Sequence, residues 1–167
     1  LNILELVRPE MASMNHNEAR DFFGEEDREE IFRRIHTWKI PMFFYRAGSA
    51  GSYLLHRGKS WFVPSIDLEG APYVDATGCG NSSTAAAMYA WRKTRNPVMT
   101  AIIANVTGGI NVSCAGIIKS FDSALRETAF RTAAEVYDQY TRDHPDYCRD
   151  GHPHSADQVL ALLREKR

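Results

Sequence analysis

Ten residues, Asp75 to Thr84, constrain the fold of this chain more than any other stretch. They read DATGCGNSST, so Gly78 and Gly80 flank a cysteine shortly before a run of alanines. Ser, Thr and Asn are typical of the start of a helix, and Ala-rich sequence extends one. The glycines let the backbone turn sharply and approach a ligand closely. Because the free N–H groups of a first helical turn favour an anion, the pattern predicts a phosphate or oxyanion site.

The composition indicates one globular domain and argues against nucleic acid or a membrane as its partner. The chain has 167 residues, a hydrophobic fraction of 44% and a net charge of −1. It has no dense basic block and no apolar run long enough for a membrane span, so we expect neither nucleic acid nor membrane as a partner. The odd count of three cysteines, with no C-x-x-C spacing, predicts reduced thiols and a cytoplasmic protein.

Residues 75–81 (DATGCGN) resemble the D-T-x-G-A-G-D signature of the ribokinase-like (PfkB) sugar and nucleoside kinases. In that family the glycine-rich turn forms an anion hole for the transferred phosphoryl group, and the last Asp is the catalytic base. The resemblance implies that Gly78, Cys79 and Gly80 offer N–H groups to the γ-phosphoryl oxygens. This chain has Asn81 at the base position, and an amide can hydrogen-bond a hydroxyl but cannot take its proton at neutral pH.

A second motif follows the apolar run from Met11 to Met14, which predicts a buried strand. Asn15 and Glu18 come directly after it, where polar residues of a site are expected in an open α/β sheet. The pair is similar to the family's N-x-x-E motif, which implies that Asn15 and Glu18 hold Mg²⁺ near the reacting phosphate. The alternative is local, with Asn15 capping a short helix and Glu18 completing a capping box.

A third motif follows another apolar run, Met42 to Tyr45, which predicts a second buried strand. The segment RAGSAGS (residues 46–52) resembles the family's T-x-G-x-x-G turn, which lies against the nucleotide phosphates. The resemblance implies that Gly48 and Gly51 bind the nucleotide. Arg46 stands at the Thr position, where its guanidinium either pairs with a phosphate or braces a carboxylate. Residues 52–57 and 61–64 predict a hairpin that turns at Gly58.

A small, apolar segment, residues 99–114, follows Pro97 and predicts a helix. It contains Gly108-Gly109, and paired glycines are retained in a helix where something packs closely, either a neighbouring helix or a flat ligand. Parts of the segment resemble the family's residues beside the adenine and its monovalent-cation loop. That likeness implies that Asn105, Ser113 and Gly116 face the nucleotide, and that Asp75 helps to bind the cation. A close helix–helix contact is the alternative.

The rest of the chain alternates predicted helices with one polar loop. The loop, residues 143–155, holds Cys148, His152 and His154; its irregular spacing favours surface histidines over a metal site. Amphipathic or Ala-rich patterns predict helices over residues 1–7, 25–38, 81–95, 121–140 and 156–165.

Together the motifs predict an α/β fold, a mostly parallel sheet flanked by helices, of ribokinase type. The resemblance covers residues 3–118, so we expect residues 1–167 to form one partial domain, the nucleotide-binding half of a longer kinase, with residues 141–167 as an atypical tail. Exposed strand edges in such a half favour self-association into a homo-oligomer.

The function implied is ATP-dependent phosphoryl transfer to a hydroxyl of a sugar, nucleoside or similar small molecule, with ATP, Mg²⁺ and K⁺ as cofactors. Asn81 leaves a second hypothesis open, a nucleotide-binding protein with little or no turnover. A third is a structural remnant whose glycine turn binds nothing.

Overall fold

The computed structural model describes residues 6–68, 71–116, 118, 120 and 122–165. Over these residues a four-stranded sheet lies between two groups of helices. Most of the helix predicted for residues 1–7, and Phe121 at the start of another, lie outside the described residues. In chain order the elements are β1 (Met11–Asn15), α1 (His16–Phe23), α2 (Arg28–Thr37), β2 (Met42–Arg46), a 3-10 turn (Gly48–Ala50), β3 (Gly51–His56), β4 (Lys59–Pro64), α3 (Cys79–Thr94), α4 (Pro97–Val112), α5 (Ser123–Asp143), α6 (Pro145–Arg149) and α7 (Ala156–Arg164).

The predicted α/β architecture is confirmed, but the described sheet is mixed rather than mostly parallel. Its strand order is β1-β2-β3-β4, with β1 and β2 parallel and the two other pairings antiparallel. The antiparallel part comes from the predicted β3–β4 hairpin and from the short connection between β2 and β3. Arg57 and Gly58 both have left-handed φ angles, 50° and 78°, which suit a two-residue hairpin turn.

Strand β2 is buried on both faces, as its unbroken apolar sequence predicts. Met42 and Phe44 face a large core that includes residues of α3 to α7, whereas Phe43 and Tyr45 face a smaller core made with α1 and α2. Alternate side chains of a strand point to opposite faces, so one apolar run joins both cores. The domain therefore has three layers, with the sheet in the middle.

Helix α3 begins earlier than the sequence pattern predicts. Its N-cap is Gly78, with a left-handed φ of 83° and no side-chain capping bond, and Asn81 lies inside the first turn. The Cys79 N–H donates to the Ala76 carbonyl at 3.2 Å, which closes a turn before any polar side chain can cap. Glycine tolerates the left-handed angle that this turn needs, and that preference outweighs the capping tendency of Asn and Ser.

Helix α4 has a side-chain cap and a buried body. Asn96 Oδ1 accepts the Met99 N–H at 2.8 Å, and Pro97 occupies the first turn, where its missing N–H is no loss. Most of the helix is buried, which agrees with its small, apolar sequence. Among the described helices, none is both long enough and apolar enough to cross a membrane.

The tail after α5 packs onto the core. Tyr147 donates to Asn96 Oδ1 at 2.8 Å, and Asn96 Nδ2 donates to Tyr137 at 3.0 Å, so a buried polar network joins the tail to the start of α4. The predicted loop at residues 143–155 contains helix α6, which sequence reasoning missed. His152 is half-buried against the Tyr147 ring, with centroids 4.1 Å apart, and only His154 has the exposure that we predicted for both.

Candidate functional site

A cleft of about 550 Å³ opens where β1 and β2 end. The two strands are parallel, with Asn15 opposite Arg46, so their carboxyl ends share one edge of the sheet. The start of α3 and the middle of α4 complete the walls. Seven of the residues predicted from motifs line this cleft: Asn15, Arg46, Gly48, Gly51, Cys79, Gly80 and Asn105.

The other six predicted site residues do not line the cleft, although they lie in the same elements and loops. Asn81 is exposed on the first turn of α3. Glu18 reaches the wall through its bond to Arg46, whereas Asp75 bonds Thr77 and Gly116, which lie outside the wall. The full set outside the wall is Gly78, Asn81, Ser113, Gly116, Glu18 and Asp75.

The start of α3 presents two free backbone donors. The Cys79 N–H is already bound to Ala76, and the Ser82 N–H donates to the Gly78 carbonyl at 2.9 Å. Within the described part of the chain, the N–H groups of Gly80 and Asn81 have no acceptor. An anion in the cleft would therefore meet Gly80 and Asn81 donors at the positive end of the helix dipole.

The guanidinium of Arg46 lies at this helix start. Its Nη2 is 3.1 Å from Glu18 Oε2, and a Cβ added to Gly80 would collide with its Nη1. The Nε atom is buried without a hydrogen-bond partner among the described residues. Of the two alternatives for Arg46, the structure has the contact with a carboxylate. The charge is nonetheless placed where a bound anion would touch it.

Asn15 and Glu18 form the local capping box. Glu18 N–H donates to Asn15 Oδ1 at 2.9 Å, and Asn15 N–H donates to Glu18 Oε2 at 2.7 Å. The same Glu18 oxygen faces Arg46, while the side chain as a whole stays 53% exposed. The pair thus fixes the start of α1 and the position of Arg46 at once, and it leaves part of the carboxylate accessible.

Asp75 ties the loop before α3 to the loop after α4. Its Oδ1 accepts the Thr77 N–H at 2.9 Å and its Oδ2 accepts the Gly116 N–H at 3.1 Å. Hydrogen bonds from the Thr77 N–H, the Thr77 hydroxyl and the Gly116 N–H lower the pKa of Asp75, because they stabilise the ionised carboxylate. Asp75 is therefore a charged residue that holds the α3 entry in place.

Asn105 forms part of the cleft wall, and its side-chain amide is fully engaged. Its Oδ1 accepts the Ser52 hydroxyl at 2.8 Å, and its Nδ2 donates to the carbonyls of Val63 and Pro64 at 3.0 and 2.9 Å. These bonds hold the ends of β3 and β4 against α4. A ligand would meet Asn105 as a fixed part of the wall.

The two glycines of residues 46–52 have different reasons for being glycine. Gly51 has φ 124°, and a Cβ there would collide with the Val63 carbonyl and the Pro64 backbone, so the hairpin itself requires glycine. Gly48 has φ 63°, and an added Cβ would meet only the His16 ring, at 3.8 Å. The left-handed φ alone favours glycine at that position, and the missing side chain leaves the backbone open to the cleft.

The double glycine of α4 also separates into two roles. A Cβ on Gly109 would be 2.5 Å from the Ile66 carbonyl, so this residue lets the chain after β4 pass close to the helix. A Cβ on Gly108 would reach only Ser83 Cβ, at 4.0 Å, and Gly108 lines the cleft. The close packing that we predicted is present, but its partner is a backbone carbonyl of an irregular segment rather than a helix.

Sequence reasoning missed Asn111, which organises the same region from inside α4. It is 1% exposed, and its Nδ2 donates to the Thr77 carbonyl at 2.9 Å and contacts Cys79 Sγ at 3.3 Å. An amide in an otherwise apolar stretch, two residues after a double glycine, was the available signal. Other wall residues that belong to none of the predicted motif positions include His16, Asp67 and Tyr73.

Solved structures of similar fold share this architecture. Adenosine kinase from Sinorhizobium meliloti is 23% identical with a TM-score of 0.66, over 79% of this chain and 39% of that one. Ribokinase from Thermotoga maritima is 21% identical with a TM-score of 0.62, over 77% and 44%. Fructokinase from Vibrio cholerae O395, bound to fructose, ADP and calcium, is 17% identical with a TM-score of 0.63, over 76% and 43%.

These likenesses establish the ribokinase-like fold that we predicted. The chain spans less than half the length of each of these three structures. No curated protein matches it. The sequence model of the pfkB family carbohydrate kinases matches residues 2–124, which include every predicted site residue and end before the tail. The chain therefore belongs to the pfkB family of carbohydrate kinases.

Proposed function

We propose that this chain is the nucleotide-binding part of a kinase that transfers the γ-phosphoryl group of ATP to a hydroxyl of a sugar, nucleoside or similar small molecule. One observation carries the proposal. Gly80 at the start of α3, whose N–H is free, the Arg46 guanidinium and the Gly48–Gly51 turn all line a single cleft. Backbone donors, a fixed cation and a close backbone approach are the features that bind a polyphosphate.

Phosphoryl transfer needs positioning and charge stabilisation more than covalent chemistry. In this proposal the N–H groups of Gly80 and Asn81 receive the equatorial oxygens of the γ-phosphoryl group. Gly78 and Cys79 shape the turn, since the Cys79 N–H is already bound to Ala76. Arg46 neutralises phosphate charge. The glycine turn and Asn105, with Ser113 and Gly116 nearby, hold the rest of the nucleotide.

Magnesium fits this site as a partner of the nucleotide. Among the described residues there is no cluster of three His, Cys, Asp or Glu side chains able to hold an ion alone. Mg²⁺ commonly uses one or two carboxylates together with substrate phosphates and water. In the proposal Glu18 and Asn15 contact it through water, and the ion neutralises charge on the phosphates when bound.

A monovalent cation such as K⁺ is proposed beside Asp75. The carboxylate is partly exposed, and each oxygen already accepts one N–H, which leaves lone pairs free. A cation there would strengthen the link between the loop before α3 and the loop after α4. The anion-binding turn lies directly between Asp75 and α3.

A second candidate function is a nucleotide-binding protein that turns substrate over slowly or not at all. The observation that favours it is Asn81, whose side chain cannot accept a proton and is exposed outside the cleft wall. A general base typically contributes about 10² to 10⁴ in rate, so its loss alone leaves either a slow kinase or a binder.

The acceptor is best sought among sugars and nucleosides. The solved structures of similar fold include a fructokinase, a ribokinase and an adenosine kinase. The panel of acceptors for a kinase assay therefore contains both sugars and nucleosides.

Binding of Mg·ADP, measured by calorimetry, tests the first step of this proposal. We expect the protein to bind Mg·ADP and Gly80→Val to lose that binding, because a branched side chain would fill the space over the α3 start. Ser82→Ala is the matched control, because Ser82 lies two residues further along α3 and outside the cleft wall. Unchanged affinity in Gly80→Val would exclude the α3 start as the phosphate site. ADP formation across a panel of sugars and nucleosides then separates kinase from binder.

A further inference from the structure

Arg46 is the only Lys or Arg side chain among the described residues that line the cleft. Its side chain is 20% exposed, so most of it is removed from water. One of its nitrogens, Nη2, is paired with Glu18, while Nη1 lies over Gly80 and Nε has no partner among the described residues. A guanidinium carries five N–H donors in a fixed fork, so most of the donors of Arg46 are unused.

The charges around Arg46 favour an anion bound between its guanidinium and the start of α3 over the ion pair with Glu18 alone. The N-terminal end of α3 carries partial positive charge, and a cation beside it is unfavourable unless an anion lies between them. Glu18 neutralises part of the Arg46 charge, but its carboxylate is about half exposed to water. A phosphate in the cleft would contact the α3 donors and the guanidinium together, which Glu18 does not do.

For Glu18, pairing with Arg46 conflicts with the contact to a metal ion that we propose for it. Its Oε2 caps the Asn15 N–H at 2.7 Å and pairs with Arg46 at 3.1 Å. A carboxylate that neutralises a guanidinium binds a metal ion less strongly, because the guanidinium repels the second cation. Glu18 is therefore free to bind a metal ion only when Arg46 has left it. A ligand that takes Arg46 decides which of the two states the protein adopts.

We infer that Arg46 exchanges partners, leaving Glu18 for a phosphate of the nucleotide, and that this exchange needs no divalent metal and frees Glu18 to contact the metal afterwards. The inference rests on the proposed function, since it assigns the order of events at that nucleotide site. Arg46 is then the residue that selects for phosphate, and Glu18 is a positioning residue that holds it ready. Nucleotide binds first and the metal second.

Calorimetry with ADP in the presence of EDTA, and again with Mg²⁺, tests the order. We expect the wild-type protein to bind ADP in EDTA. Arg46→Gln should weaken that binding by about tenfold or more, the usual effect of one lost charge-assisted contact. Glu18→Gln should strengthen it, because the competitor for Arg46 loses its charge while Gln still completes a capping box. Binding gained in Glu18→Gln is an effect that a merely structural role would not produce.

Two further variants guard against a folding artefact. Arg46→Lys keeps the charge without the fork, and should bind ADP in EDTA with an affinity between those of wild type and Arg46→Gln. Arg149→Gln breaks an exposed ion pair with Asp146 away from the cleft and serves as the matched control. Circular dichroism melts of each variant establish that the fold is retained.

The outcomes separate this inference from the proposed function. Binding of Mg·ADP that disappears in EDTA, or that weakens in EDTA on Glu18→Gln, overturns the partner exchange and leaves the nucleotide site intact. Equal affinities for wild type, Arg46→Gln and Glu18→Gln overturn it as well. If ADP binds neither with Mg²⁺ nor with EDTA, the proposed function and the exchange fail together.

Discussion

The Asp75 carboxylate accepts the Gly116 N–H at 3.1 Å, across 41 residues of sequence. Its other oxygen accepts the Thr77 N–H, two residues on. The Val74 and Asp75 N–H groups both donate to the Val112 carbonyl, at 2.9 and 3.0 Å. The loop that enters α3 is thus fastened to the end of α4, and the position of the anion-binding turn depends on both helices.

Replacing Asp75 should make the melting temperature depend less on pH in the acid range. The pKa of Asp75 is lowered in the folded state from an ordinary value of 3.8, so its stabilisation is present above 3.8 and is lost as pH falls from there through the lower folded pKa. We expect Asp75→Asn to melt lower than wild type at neutral pH, and the difference to shrink as the pH is lowered below 3.8. Thermal melts across the acid range measure this. Asp21→Asn on α1 is the control, and a constant difference at every pH would contradict the assignment.

The two glycines of α4 should respond oppositely to alanine. In Gly109→Ala the new Cβ would lie 2.5 Å from the Ile66 carbonyl, a backbone atom, and we expect a loss of about 1–3 kcal/mol for overpacking. In Gly108→Ala the Cβ would find only Ser83 Cβ at 4.0 Å, and the helix should gain up to about 1 kcal/mol. Urea denaturation gives both values. Similar effects at the two positions would show that the Ile66 contact is not what selects Gly109.

Gly80→Ala should separate stability from binding. The methyl group would displace the tip of Arg46, which is a flexible side chain, while alanine favours the helix by up to about 1 kcal/mol. We therefore expect an equal or higher melting temperature together with about tenfold weaker ADP binding, the scale of one charge-assisted contact. Ser82→Ala gains helix propensity without touching Arg46, and it should keep its affinity. A Gly80→Ala variant that binds as tightly as wild type would mean that Arg46 takes no part.

The edge of β1 should drive self-association of the chain. Among the described strands β1 pairs on one side only, and its sequence MASMN has no Lys or Pro to protect the edge. Met88 is 45% exposed and lines a small groove with residues of β1. We expect concentration-dependent association in sedimentation experiments, reduced by Met88→Lys and little changed by Leu162→Lys on α7. A monodisperse monomer at all concentrations would contradict this.

Local sequence patterns predicted the elements whose stability is local. The apolar run of β2, the turn at Gly58 and the amphipathic helix that became α2 were found from spacing alone. Helix α2 is shorter than predicted because Asp27 caps it, accepting the Glu29 N–H at 3.0 Å. The start of α3 was placed too late, since polar residues looked like a cap where Gly78 makes the turn.

Long-range contacts were beyond these patterns. Arg46 and Glu18 are 28 residues apart, and the sequence left open whether Arg46 meets a carboxylate or a phosphate. Asn105 lines the cleft, and the bonds of its amide to β3 and β4, which are set by how α4 crosses the sheet, were not predicted. Asn111 carried no motif, although its buried amide holds the turn before α3. Such contacts follow from tertiary packing, which no local window contains.

The rate of phosphoryl transfer in wild type and Asn81→Asp tests most directly whether this cleft holds ATP for transfer to a hydroxyl. Asn81→Asp is nearly isosteric and places a carboxylate at a helix start, where the dipole keeps it ionised and able to accept a proton. With acceptors drawn from sugars and nucleosides, we expect ADP formation to rise by about tenfold or more in Asn81→Asp, a modest share of a general base's contribution. Absence of turnover in both proteins across the panel would contradict the kinase assignment, and a wild type that Asn81→Asp slows would show that another group moves the proton.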